Sequence, residues 1–351
     1  LENKGTAAAT MKDVADKAGV STATVSRALM DPEKVSALTR QKVEEAAKAV
    51  GYSQYASARY ARRHETRTLL AIVPDISDPF FSEVIHGIEE TAASRGYLVL
   101  IGDCAYQRRQ DRGLSDPNVT AQVDGIVLLG SDLPFDAGKA ARRNLPPMVM
   151  ANEFVPKLEM PTVHIDNLTA AFDAVHYLHE LGHQRIACIA GPATQPLSEY
   201  RLQGYIQALR RGGLTVDNHY IVRGDFSYDT GIRGLGILMS HPTPPTAIFC
   251  HSDTIAMGAL AQAHNMGLNV PRDLSLMGFD DIIQASYCFP PLSTVAQPRY
   301  EIGREATLLL LEQLQGHSVT RSSRLLSSKL VIRDSTAPPN FAHHRLSESR
   351  C

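Results

Sequence analysis

The chain has no tryptophan in its 351 residues, and its five cysteines are scattered and odd in number. Cys104, Cys188, Cys250, Cys288 and Cys351 form no C-x-x-C pair, which excludes a disulfide-stapled scaffold and the paired-cysteine zinc and redox motifs. A reduced, cytoplasmic protein is the simplest reading. No apolar run approaches the roughly 18 residues of a membrane span. Leu1–Thr10 lacks the apolar core of a signal peptide, so no membrane partner is expected. Charge of one sign is lacking as well: the net is −2, with 21% charged and 44% hydrophobic residues, values that exclude wholesale disorder. The length leaves room for two or three cores.

Catalytic signatures are also missing. There is no Walker loop, no G-x-G-x-x-G fingerprint and no G-x-S-x-G elbow; Gly231, Gly234 and Gly236 miss the fingerprint spacing. His179-Glu-Leu-Gly-His183 formally matches H-E-x-x-H. That chemistry needs both histidines on one face of an unbroken helix, and Gly182 falls where a helix should end. No catalysis, cofactor or metal is therefore expected.

What is present is unevenly distributed. Residues 1–67 carry a net charge of +4 and the remainder −6. A positive excess at one end suits a polyanionic partner there. Within that end, 11–51 reads as three short helices. Val14, Ala15 and Ala18 share one face before Gly19. Ser21 can cap a second helix, Thr22–Leu29, with Val25, Ala28 and Leu29 inward. Ser36 can cap a third, Ala37–Val50, whose Leu38, Val43, Ala46, Ala47 and Val50 form a stripe before Gly51. Two short helices across a tight turn make a helix-turn-helix, whose second helix enters the major groove. Thr22, Ala23 and Arg27 would then reach base edges, Arg27 as a two-bond partner for guanine. Ser21, Thr24 and Ser26 offer short hydroxyls to phosphates.

The run Asp13-Val-Ala-x-x-Ala-Gly-Val-Ser-x-x-Thr-Val-Ser-Arg27, with Val35-Ser-x-x-Thr-Arg40 and Gly51-Tyr52, closely resembles the headpiece of the lactose-repressor family. The likeness continues through almost the whole chain. It implies a homodimeric repressor that binds double-stranded operator DNA and answers to a small effector. In its details it points to a nucleoside, cytidine, controlling nucleoside uptake and catabolism genes, with the cyclic-AMP receptor protein as a partner on DNA. Residues 52–67 hold four arginines and no apolar periodicity, and read as a hinge. In the family this hinge becomes helical on DNA and wedges a leucine into the minor groove. Here Gln54 replaces the usual proline and the wedge position falls on Ala61, which is too short to open a base step. The tail from Ser335 to Cys351 lacks the leucine heptads of tetrameric relatives.

From Thr68 onward apolar strands alternate with amphipathic helices. The strands at 69–73, 97–101, 125–129 and 147–150 form one series, and those at 185–190, 246–250 and 274–278 a second. Continuous apolar runs of this kind suit strands buried on both faces. Helices are expected at 81–94, 171–181, 200–211 and 255–265, with another near Gly113–Val119. Two βαβ series imply two parallel-sheet lobes. The expected fold is thus an α-helical helix-turn-helix headpiece plus an α/β two-lobed sensor domain, which the resemblance likens to type I periplasmic binding proteins. Lobe 1 would take about 68–166 plus 290–318, and lobe 2 about 167–289 plus 319–338, between a flexible tail at 1–10 and a disordered one at 339–351.

Ligands of such sheets bind beyond the carboxyl ends of strands, here in the cleft between lobes. That selects Asp75, Asn152, Asp166, Ser252, Asp253, Asp280 and Asp281. The resemblance assigns Arg201 and Asp280 to polar ligand atoms and Phe80, Phe81 and Phe226 to aromatic walls. Two other function classes remain open from sequence. One is a nucleoside- or sugar-acting enzyme with a fused DNA-binding domain, which would consume its ligand. The other is an architectural DNA binder with a ligand-blind α/β domain.

Overall fold

The computed structural model describes residues 10–30, 34–50, 52, 66–104, 122–130, 145–155, 160–317 and 323–340. The hinge residue Ala61, the helix expected near Gly113–Val119, and residues 1–9 and 341–351 of the two terminal tails lie outside the described residues.

Three helices make up the headpiece: α1 (Met11–Ala18), α2 (Thr22–Met30) and α3 (Ala37–Val50). Thr10 and Asp13 form a reciprocal capping box on α1, and Gly19 closes it in the left-handed conformation. Ser21 Oγ accepts from Thr24 N–H at 3.1 Å, and Ser36 Oγ from Thr39 N–H at 3.3 Å, so both expected caps are in place. Val14, Val25 and Val43 are fully buried together with Ala15, Ala28 and Tyr52. Leu38 corrects the expected stripe: it is 68% exposed. Five residues before Val43 corresponds to about 140° around a helix, which turns Leu38 away from the core.

The first large sheet is entirely parallel, in the order β11-β5-β4-β3-β1-β2. Its strands are β1 (Thr68–Val73), β2 (Leu98–Asp103), β3 (Gly125–Leu128), β4 (Met148–Ala151), β5 (Thr162–Ile165) and β11 (Ser323–Leu326). Helix α4 (Phe80–Ala93) links β1 to β2. The second sheet, β7-β6-β8-β9, is parallel too. It contains β6 (Ile186–Ala190), β7 (Ile221–Arg223), β8 (Ala247–Cys250) and β9 (Ser275–Met277). Its helices are α5 (Asn167–Glu180), α6 (Pro196–Arg211), α7 (Tyr228–Met239) and α8 (Asp253–Asn265). The chain returns to lobe 1 in α9 (Arg299–Leu314).

Two lobe assignments are corrected. Residues around 290–297 belong with lobe 2, because β10 (Thr294–Ala296) pairs with β12 (Lys329–Val331) and Ser293 bridges to Met277. The crossover therefore follows β10 rather than falling near Pro290. In the other direction β11 pairs with β5, so 323–326 complete the lobe 1 sheet and only the following segment joins lobe 2. There Ser335 is fully buried, accepting from Leu276 N–H at 2.9 Å through its carbonyl. The strand β2 is also not buried on both faces. It is the sheet edge, and Leu98 is 73% exposed with Leu100 and Ile101 half-open beside it.

The helices cross at glycines. A Cβ on Gly87 of α4 would sit 2.1 Å from Tyr300 O of α9, and one on Gly231 of α7 would sit 2.0 Å from Ile255 O of α8. The glycines that failed the dinucleotide spacing thus lie in α7, where Gly231 lets two helix backbones touch.

Candidate functional site

A cavity of 430 Å³ opens between the lobes, within the usual range for small-molecule pockets. Lobe 1 supplies the loop after β1 and the residues after β4. Lobe 2 supplies the N-terminal turns of α6, α7 and α8 and the end of β9. Of the residues selected from sequence, Asp75, Phe80, Phe81, Asn152, Arg201, Phe226, Ser252 and Asp280 all line it.

Three selected aspartates do not. Asp253 is fully buried below the pocket, where Oδ1 accepts from Thr294 Oγ1 at 2.6 Å and Oδ2 from Ile282 N–H at 2.9 Å. Asp166 caps α5, accepting from Leu168 and Thr169 N–H. Asp281 accepts from Arg333 at 2.7 Å. A strand-end carboxylate followed by a helix has backbone donors waiting nearby, and in Asp166 that competing role prevails.

Arg201 lies at the floor. It is 2% exposed, donating through Nε to Asn167 Oδ1 at 2.8 Å and through Nη1 to the His251 carbonyl. Its guanidinium stacks 3.7 Å over the Phe279 ring, and Nη1 stands 3.6 Å from Asp280 Oδ1. The same Asp280 oxygen accepts from Gln297 Nε2 at 2.8 Å. Burial raises the Asp280 carboxyl to about 7, although Arg201 pulls the other way. Burial also holds His251 neutral, with Arg201 adding to the effect.

Two non-glycine residues of the pocket have left-handed backbone, Asn152 (φ 66°) and Asp280 (φ 118°). Such conformations cost of order 1–3 kcal/mol and concentrate where a side chain must be aimed. Asn152 is buried, and its Oδ1 has no partner among the described residues. A buried carboxamide oxygen left so is an acceptor for a donor supplied from the cavity.

Sequence reasoning missed Asp78, Glu153, Asp225 and Tyr228, which also line the cavity. Glu153 is the most consequential. Its Oε1 accepts from Phe154 N–H at 3.0 Å and, across the cleft, from Leu197 N–H at 3.2 Å. Leu197 is in the first turn of α6, whose donors have no partner within the helix. The signal was Glu153's place beside Asn152 at the end of β4.

In the headpiece, Ser21, Thr22, Ala23 and Arg27 are exposed along α2, with Thr24 and Ser26 half-buried. The Ser21 and Thr24 hydroxyls also bond each other at 2.9 Å as part of the cap. Arg27 folds back to donate to Ala23 O at 3.3 Å. The H-E-x-x-H run fails in space as expected. The helix α5 ends at Glu180, Gly182 is left-handed, and His183 is buried against Thr246, Ser275 and the Ala337 carbonyl.

Residues 10–54 match the lacI family of bacterial regulatory proteins, and residues 175–336 match the periplasmic binding protein-like domain. The HTH-type transcriptional repressor CytR of Escherichia coli is 64% identical over 94% of this chain and 96% of its own length. The chain belongs to the lacI family. As a family member it is a transcriptional regulator that binds operator DNA and a small-molecule effector, and several of its relatives are repressors. Catabolite control protein A of Priestia megaterium is 35% identical over 93% of this chain and 99% of its length. Among solved structures, the transcriptional regulator CelR–cellobiose complex superposes with a TM-score of 0.70 at 30% identity, covering 93% of this chain and 99% of that one. No helix among the described residues of this regulator is long and apolar enough to cross a membrane.

Proposed function

We propose that this regulator represses transcription as a homodimer on a two-fold operator, and that an uncharged nucleoside, cytidine foremost, binds between its lobes and resets the paired headpieces. The observation that carries the effector assignment is Asn152, a buried residue of the cavity lining whose Oδ1 has no partner among the described residues, in the same lining as the Arg201–Asp280 pair. Together they offer acceptors and a charged donor to a ligand bearing both hydroxyls and amines. Phe80, Phe81 and Phe226 supply flat apolar surface for a base. Asp75, Asp78, Glu153, Asp225 and Asp280 accompany Arg201, the one arginine of the lining among the described residues, a balance that favours donor-rich neutral ligands and opposes phosphates.

Dimerisation is supported by apolar side chains left in the open. They are Leu98, Leu100 and Ile101 on the edge strand β2, and Ile283, Tyr287 and Phe289 on lobe 2, Phe289 being 97% exposed. An edge with no further strand among the described residues, and apolar patches on one chain, suit a self-complementary partner. The short side chain at Ala61 supports a second DNA-bound protein, the cyclic-AMP receptor protein, that supplies affinity the hinge does not.

Calorimetry with cytidine, ribose and cytidine monophosphate tests the effector assignment. Cytidine should bind one site per chain, unconsumed, with the monophosphate at least tenfold weaker. Absence of binding by cytidine and every other nucleoside would remove the assignment.

A further inference from the structure

Lobe 2 carries a second cluster of ligating side chains that the effector pocket does not use. We propose that Asp217, His219 and His241 form a binding site for a divalent transition-metal ion, best fitted by zinc. One ligand atom from each lies within 4.8 Å of the others. Two segments bring them together: Asp217 and His219 belong to the 3-10 turn before β7, and His241 follows the C-terminal end of α7. The opposite end of α7 supplies Tyr228 to the effector cavity, one helix length of about 18 Å away.

The surroundings already hold the ligands near a binding arrangement. Tyr220 donates its hydroxyl to the Thr243 carbonyl and meets the His241 ring edge-on at 5.3 Å, so the two segments are joined without any ion. His241 Nδ1 lies 3.2 Å from the same carbonyl. The Thr243 backbone N–H donates to the same Nδ1 at 3.2 Å, so a metal on Nε2 would take the ring in the other tautomer, with its proton moved to Nδ1 and donated to the carbonyl. Asp217 Oδ1 accepts from the His219 backbone at 2.9 Å and lies 2.9 Å from its ring Nδ1. Zinc bonds of about 2.0–2.2 Å in a tetrahedron would set the ligand atoms roughly 3.4 Å apart. Rotation of the exposed His219 ring supplies the remaining movement. Two imidazoles and one carboxylate are borderline ligands that favour zinc, nickel or copper over the oxygen-seeking calcium and magnesium.

Titration of the whole chain with zinc chloride tests this. The sequence also carries His343, His344 and Cys351, so the informative quantity is the difference between the wild type and a His219→Ala/His241→Ala double variant. The wild type should bind one more zinc per chain than the double variant, and zinc should raise its melting temperature by more. His219→Ala alone, at a side chain 80% exposed, should lose the same equivalent with no loss of folding. Equal stoichiometry in wild type and both variants would overturn the proposal.

Discussion

Arg201 is held on several sides before any ligand arrives, by Asn167, the His251 carbonyl, the Phe279 ring and Asp280. A cation so fixed recognises polar ligand atoms without first ordering its own side chain. Asp280 opposite it should leave a pH signature. Its carboxyl is raised to about 7, so between pH 4 and 7 the folded chain holds a proton that the unfolded chain has released. Stability therefore falls as pH rises through that window. In Asp280→Asn the fall should be shallower, and cytidine binding should weaken at least tenfold while operator binding stays intact. Melting curves and calorimetry from pH 4.5 to 7.5 check both; a pH slope identical to wild type would count against the buried carboxyl. In the headpiece, Arg27→Ala should cost about 1–3 kcal/mol at the preferred site and little on random DNA. Equal loss on both in gel-shift titrations would make Arg27 a phosphate contact.

At the scale of elements, helix α7 offers a paired test. Gly231→Ala would place a methyl carbon 2.0 Å from Ile255 O and must push α8 away, whereas a Cβ on Gly236 meets nothing within 4 Å. Overpacking of this kind costs about 1–3 kcal/mol or more, while Gly236→Ala should gain about 0.5–1 kcal/mol from helix propensity. Urea unfolding of the two variants gives the comparison, and similar effects would contradict the crossing geometry. These elements also show what the sequence makes legible. Caps at Ser21 and Ser36, the buried β1, β3, β6 and β8, and the strand-end pocket residues Asp75, Asn152, Ser252 and Asp280 follow from local pattern, whereas Arg201, Phe80, Phe81 and Phe226 are reached only through the family resemblance. The half-buried strands β5, β11 and β12 carry no such signal, because short mixed sequences become strands only through their neighbours. The crossover that the resemblance implies near Pro290 follows β10 instead, because the pairing of β10 with β12 is a long-range contact that no local signal marks. Glu153 was missed because its role depends on a backbone donor across the cleft, at Leu197, which no local pattern reveals.

At the scale of the whole molecule, the proposed control of the DNA-reading headpiece by the effector cleft runs through residues 52–67, where the family resemblance sets Ala61 at the wedge position. A linker that orders on DNA loses entropy, and a minor-groove wedge offsets part of that loss. Ala61→Leu should therefore tighten operator binding of the regulator alone and narrow the half-site spacings it accepts. Titrations on operators lengthened one base pair at a time would show this, and unchanged affinity and tolerance would contradict it. The central claim is that the cleft controls the headpiece. Its most direct test is fluorescence anisotropy of a duplex selected from random DNA, titrated with the full chain with and without saturating cytidine. The account predicts that cytidine changes the DNA dissociation constant by about 5–150-fold, the usual range of allosteric coupling, and that Arg201→Ala abolishes the change while leaving effector-free DNA binding intact. DNA binding that no nucleoside alters in the wild type would contradict it.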